Sequence, residues 1–153
     1  MKHHLRHILK GKIVIIGIGQ TLRGDDGFGP ALIERLKGRV KAVCLDAGTS
    51  PESYSGKIAK EAPDTILLVD AVHLGLKAGA CEILEKSDIL ESGFTTHDIS
   101  PRMFIAYLER QTKAAIYMLG VQPQNLTLGE RISDAVKKTL DHVEQDLKEI
   151  IGA

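Results

Sequence analysis

A chain of 153 residues is long enough for one domain with a single substantial core. Its residues are 43% hydrophobic and 26% charged, an ordinary soluble mixture, and its formal net charge of zero argues against sequence-independent nucleic-acid binding. No apolar run reaches membrane-spanning length, and no apolar stretch with a small-residue cleavage site follows the basic start, so neither a membrane span nor a secretory signal is expected.

Residues 1–11 are expected to form a flexible N-terminal arm ahead of one α/β domain, 12–153. His3, His4 and His7 have helical spacing that could serve a metal, but a frayed polar terminus is the simpler reading. Ile13-Val14-Ile15-Ile16 is short, β-branched and bounded by glycine, as a buried strand of a parallel sheet is. A glycine-rich turn, Gly17 to Gly29, leads to the amphipathic run 31–36, which Gly38 is placed to stop. Val40 to Asp46 reads as a second strand, and 51–61 as a short helix with Pro51 early in it. Thr65 to Asp70 is apolar on both faces, the pattern of a central strand. The glycine-punctuated stretch 71–79 is too short for a crossover helix, so the strand 80–85 that follows suits an antiparallel neighbour. Ser100-Pro101 is a strong helix start, with Phe104, Tyr107 and Leu108 as its apolar face. Ala114 to Gly120 is the last strand. Thr127-Leu128-Gly129-Glu130 fits a capping box opening a final helix striped by Ile132, Val136, Leu140, Val143, Leu147 and Ile150. Cys44 and Cys81 lie in apolar runs without a CxxC pattern, as small buried hydrophobes in a reducing cytoplasm would.

Alternating strands and helices imply a mostly parallel sheet with helices on both faces, and the loops at the carboxyl ends of its strands form the natural ligand edge. A glycine-rich loop between strand and helix first suggests a phosphate cradle. Here Leu22 stands where the dinucleotide fingerprint wants its third glycine, the Gly-Lys-Ser/Thr ending of a P-loop is absent, and Asp25 and Asp26 place negative charge where a phosphate would dock. Asp46, at the end of the second strand, keeps a nucleotide-binding module open as an alternative. Carboxylates in a cleft point rather to a cation, and the topology can gather Asp25, Asp26, Asp46, Asp70 and His97 at one edge. Each also has a plain structural reading: Asp26 as a helix cap, Asp70 as a turn acid, His97 as a solvated loop residue. No HExxH, CxxC or G-x-S-x-G motif is present.

Five segments carry a resemblance that spacing alone does not. They are Gly17-Ile18-Gly19-Gln20 through Gly24-Asp25-Asp26-Gly27, Asp46-Ala47-Gly48-Thr49-Ser50-Pro51-Glu52, Val69-Asp70-Ala71, Thr96-His97, and Gly120-Val121-Gln122-Pro123. Together, in this order, they resemble the hydrogenase maturation endopeptidases, which trim the large subunit of [NiFe] hydrogenases. The resemblance implies a three-layer α/β/α sandwich of phosphorylase/hydrolase-like type, with a five-stranded, twisted, mostly parallel sheet and one antiparallel strand. It implies removal of a C-terminal peptide from the nickel-loaded large-subunit precursor, with Asp26, Asp70 and His97 as metal-contacting and catalytic residues. Gln20 stands where the family usually has asparagine, and Asp98 where asparagine is frequent; the extra methylene of Gln20 moves its amide.

Two carboxylates and an imidazole suit divalent nickel or zinc and leave coordination positions open. The resemblance makes the nickel part of the precursor, held by that precursor's own thiolates. Asp46 is expected near the ligands without touching the metal, and Gln20, Asp25 and Asp46 are expected to support the site loops. The alternative from another class is a nickel-binding checkpoint or carrier that does not cut. The expected partner is the precursor alone, met by a monomer in the cytoplasm, with neither nucleic acid nor membrane involved.

Overall fold

The computed structural model describes residues 1–91 and 100–152. Five strands, β1 (Ile13–Ile18), β2 (Val43–Gly48), β3 (Thr65–Ala71), β4 (Cys81–Leu84) and β5 (Ala115–Val121), form one sheet in the order β2-β1-β3-β5-β4. β1 pairs in parallel with β2 and β3, β3 pairs in parallel with β5, and β4 alone runs antiparallel, against β5. The fold is therefore the α/β sandwich with one reversed strand, and β3 is central. The reversal follows from connection length, because residues 72–80 leave room for a return but not for a crossover helix.

Strand alternation divides the core into two layers. Ile13, Ile15, Leu67, Val69, Leu119 and Val121 face one way, against α1 (Lys2–Ile8), α2 (Phe28–Leu36) and α6 (Asp134–Ile151). Val14, Ile16, Ile66, Leu68, Ile116 and Met118 face the other, against α3 (Ser55–Lys60), α4 (Lys86–Glu91) and α5 (Pro101–Gln111). Every residue of β1 is buried, which accounts for its continuous apolar run.

Four expectations are corrected. The N-terminal arm is not a flexible extension: Lys2–Ile8 is helical, and Leu5, Ile8 and Leu9 are buried in the core. Their spacing of three and four residues makes one apolar stripe, and His3, His4 and His7 occupy the exposed side. Lys2 pairs with Glu149 of α6, and the Thr65 hydroxyl donates to the Lys10 carbonyl at 2.8 Å, tying the segment to the first residue of β3. Leu5→Ala is expected to lower unfolding free energy by about 2–4 kcal/mol, because its side chain is wholly enclosed. Urea titration would measure it, and a loss near zero would return the segment to a surface role.

The second correction is the start of the last helix. Thr127 to Glu130 is a turn with Gly129 at φ +89°, and the helix opens at Asp134, capped by Ser133, whose Oγ accepts from Val136 N–H at 3.4 Å. The capping box does not form because both of its amides bond elsewhere, Thr127 N–H to Asn125 Oδ1 at 3.1 Å and Glu130 N–H to the Thr127 carbonyl at 3.1 Å. Third, β2 starts at Val43; Val40 instead forms an isolated bridge with Gly152. Fourth, Ile105 rather than Tyr107 completes the buried face of α5.

Both cysteines carry free thiols. Burial raises each thiol's pKa, that of Cys44 to about 11, so neither is a ready thiolate nucleophile near neutral pH. No helix among the described residues is long and apolar enough to cross a membrane.

Candidate active site

After β1 the chain turns to β2 on one side, and then crosses to β3 on the other. The sheet's direction of growth thus reverses between β1 and β3, and open α/β sheets bind ligands in the crevice beyond such a switch. Into this crevice the sequence places the glycine-rich loop leaving β1 and the acid ending β3. The glycines are required by close approach. A Cβ at Gly29, on the first turn of α2, would stand 2.5 Å from the Val69 carbonyl oxygen, and one at Gly17 would stand 2.5 Å from the Gly29 carbonyl oxygen. α2 therefore sits directly on the heads of β1 and β3. Gly19, at φ +141°, leaves room for the Asp26 carbonyl, 1.9 Å from where its Cβ would be.

The loop's amides bear on the phosphate reading. Gly19 N–H donates to Gly48, Arg23 to Gln20, Gly24 to Glu130, Asp25 to Asn125 and Asp26 to Arg23, all through backbone carbonyls. Gln20 N–H donates to Asp26 Oδ2 at 2.7 Å, and Leu22 N–H to Gln20 Oε1 at 3.3 Å. A phosphate cradle needs a row of outward amides, and here acceptors within the loop and on neighbouring segments hold them. The Asp26 carboxylate even takes one of the amides a phosphate would use. The nucleotide alternative loses its donor set.

The two adjacent acids have different work. Asp25, wholly buried, accepts four hydrogen bonds: from Ser133 N–H at 2.7 Å to Oδ1, and from Gln124 N–H, Asn125 N–H and the Ser133 hydroxyl at 2.8, 3.1 and 3.0 Å to Oδ2. It staples the glycine-rich loop to residues 124–133. Asp26 is also buried, on the 3-10 turn Gly24–Gly27, and that turn packs against β3. Asp70 closes β3, buried, with Oδ1 accepting from Ala71 N–H at 2.8 Å. Asp26 and Asp70 thus stand at the same end of the two strands that flank the switch.

Asp46 is one strand further out, in register with Gly17. It is exposed and lines a cleft of about 450 Å³ shared with Thr21, Gly27, Glu34, Lys37 and Ile132. Its Oδ1 accepts from Gly48 N–H at 3.0 Å, and the Gly48 carbonyl in turn accepts from Gly19 N–H at 2.8 Å, so Asp46 shapes the turn that buttresses the glycine-rich loop. The Gln20 side chain closes a two-residue turn onto Leu22, while its backbone makes the bond to Asp26, which is independent of the asparagine-to-glutamine difference. His97 lies outside the described residues, in the connection between α4 and α5. Among the described residues no three His, Cys, Asp or Glu side chains gather as a metal group.

Gln122 is a positioning residue that motif spacing alone did not assign. Its Oε1 accepts from Leu74 N–H at 2.6 Å and Leu76 N–H at 3.4 Å, and its Nε2 donates to the Pro123 carbonyl at 3.3 Å. It thereby pins the loop that leaves Asp70. The one sequence signal was its place in Gly120-Val121-Gln122-Pro123.

These features define a doubly wound α/β domain with a pair of buried carboxylates at its switch point. The chain belongs to the hydrogenase maturation proteases: the family model of that description matches residues 30–150. It is similar to the hydrogenase 3 maturation protease of Escherichia coli K12, 31% identical over 138 residues that cover 88% of each protein. The crystal structure of a [NiFe] hydrogenase maturation protease, HycI, from Thermococcus kodakarensis superposes with a TM-score of 0.87 at 36% identity, covering 96% of this chain and 97% of that one. The solution structure of the endopeptidase HycI from Escherichia coli gives a TM-score of 0.81 at 28% identity, covering 91% of this chain and 90% of that one. The chain is accordingly a hydrolase of the peptidase class.

Proposed function

We propose that the protein is an endopeptidase that removes a C-terminal peptide from the nickel-loaded large-subunit precursor of a [NiFe] hydrogenase. The observation that carries this reading is the pair of buried carboxylates, Asp26 and Asp70, at the switch-point crevice of a maturation-protease fold. Nickel arrives with the precursor. Asp26, Asp70 and His97 add their donors to an ion already partly coordinated by thiolates, so only loaded precursor is held in register for cutting. Oxygen donors on separate loops bind nickel weakly by themselves, which leaves the free enzyme unable to take the ion from its client. The substrate's ion draws charge from the scissile carbonyl as a Lewis acid. A water oxygen attacks that carbon and passes its proton to a carboxylate of the site; the C–N bond breaks and the leaving amine takes the proton. All the residues invoked come from one chain, so a monomer suffices, and the two free thiols fit a reducing cytoplasm.

The test is incubation of the protein with full-length precursor, with and without nickel, followed by intact-mass measurement. Loss of one defined C-terminal peptide in the nickel sample alone is the expected result. Equal shortening without nickel would remove the metal from the reading, and nickel-dependent binding without shortening would make the protein a checkpoint rather than a protease.

A further inference from the structure

Two leucines stand out in solvent on the loops that leave the carboxyl ends of β1 and β5. Leu22 is 62% exposed and Leu128 is 64% exposed, more than any other large apolar residue described. Over a hundred positions separate them in the chain, yet their loops are stitched together. Gly129 N–H donates to the Leu22 carbonyl at 2.8 Å, Gly24 N–H to Glu130 at 3.1 Å and Asp25 N–H to Asn125 at 3.0 Å, and the four bonds of the Asp25 carboxylate close the seam. Both side chains thus project from a braced double loop, the same loop that carries Asp26. A single exposed leucine is commonplace. Two on adjoining, braced loops beyond the carboxyl ends of the strands cover no core, and rigid apolar anchors beside a site are what recognition of a partner uses.

We infer that Leu22 and Leu128 form an apolar grip on the polypeptide substrate, holding a nonpolar stretch of it beside the bond to be cut. The inference rests on the proteolytic reading above and adds to it the chemistry of the segment recognised. Both loops leave the carboxyl ends of parallel strands, β1 and β5, the sheet edge at which Asp26 and Asp70 stand, and that shared edge assigns the grip to the substrate rather than to a second copy of this chain. Because the loops are braced before binding, little ordering is lost when the leucines are covered, and their burial contributes to affinity almost undiminished.

The test uses the whole protein and full-length nickel-loaded precursor. Leu22→Ala, Leu128→Ala and the double variant are compared with Leu22→Met and Leu128→Met, reading Kd, KM and kcat separately and checking the fold by thermal melting. Each alanine is expected to raise Kd and KM about tenfold, the scale of losing a covered leucine side chain. The methionine variants should stay near the parent, kcat should hold within about twofold, and the melting temperature should not move, since neither side chain packs in the core. Unchanged Kd and KM in the double variant would overturn the grip, as would a fall in kcat alone or a loss of self-association without a change in Kd. Failure of the proteolytic reading would look different: precursor bound through the leucines but never shortened. A parent protein that neither binds nor shortens precursor would overturn both.

Discussion

Asp26→Asn and Asp70→Asn should each slow precursor shortening by at least about a hundredfold while leaving the fold intact. The substitution conserves shape, and in each case an amide oxygen can keep one bond that the carboxylate now makes. It can accept from Gln20 N–H at position 26 and from Ala71 N–H at position 70. What the change removes is negative charge and basicity at the crevice, which are the properties that hold a cation and take a proton from water. Buried carboxylates are costly to keep charged, so a loss of activity without a loss of stability is the signature of groups retained for chemistry. Rates would come from intact-mass time courses and stability from melting curves on the same preparations. His97→Ala is expected to behave alike. Activity within about tenfold of the parent would take the substituted carboxylate out of the chemistry.

The architecture was legible in the chain because its physical signals are local. Ile13 to Ile16 and Thr65 to Val69 are β-branched or apolar throughout, which only a strand covered on both faces needs, and the brevity of 71–79 forced the reversed strand. The N-terminal helix was missed for a comparable reason. Three histidines drew attention, while Leu5, Ile8 and Leu9 form too short a stripe to signal a helix until α6 is there to receive it. The start of α6 was misplaced because a capping box is a local pattern, whereas residues 124–133 are held by a partner about a hundred positions away. Separation along the chain likewise hid the partners of Asp25, 99 to 108 positions away, and of Gln122, 46 to 48 away. Periodicity does not reveal that a buried acid near the first strand accepts from amides near the last helix.

The motifs kept a nucleotide-binding alternative open for the glycine-rich loop, and hydrogen-bond accounting bears on that alternative directly. Once Gly19, Gln20 and residues 22–26 have committed their N–H groups to neighbouring acceptors, the loop has little left to offer a phosphate. The glycines serve packing instead, letting α2 settle on the strand heads. That packing brings the turn carrying Asp26 against β3. The loop's composition and the acid pair are thus one device, with close approach as its first half and buried charge as its second.

Asp25→Ala, one position from a residue whose substitution should spare the fold, is expected to destabilise the protein by about 3–5 kcal/mol. Its carboxylate accepts from three backbone amides and one hydroxyl in a fully buried setting, and alanine would leave the amides of Gln124, Asn125 and Ser133 without an acceptor. Asp25→Asn is the finer probe. Its amide oxygen can serve one side of the site, but its NH2 must then face a donor on the other, so about 2 kcal/mol is expected even though the shape is kept. Total stabilities of single domains run about 5–15 kcal/mol, so the alanine variant would lose a large fraction of its reserve. Urea titration of the parent, Asp25→Asn, Asp25→Ala and Asp26→Asn in parallel separates the roles. The expected pattern is a falling midpoint across the two Asp25 variants and a midpoint near the parent's for Asp26→Asn, with activity moving the opposite way at position 26. If Asp25→Asn melted with the parent and lost only activity, the staple would be dispensable and Asp25 would join Asp26 in the chemistry.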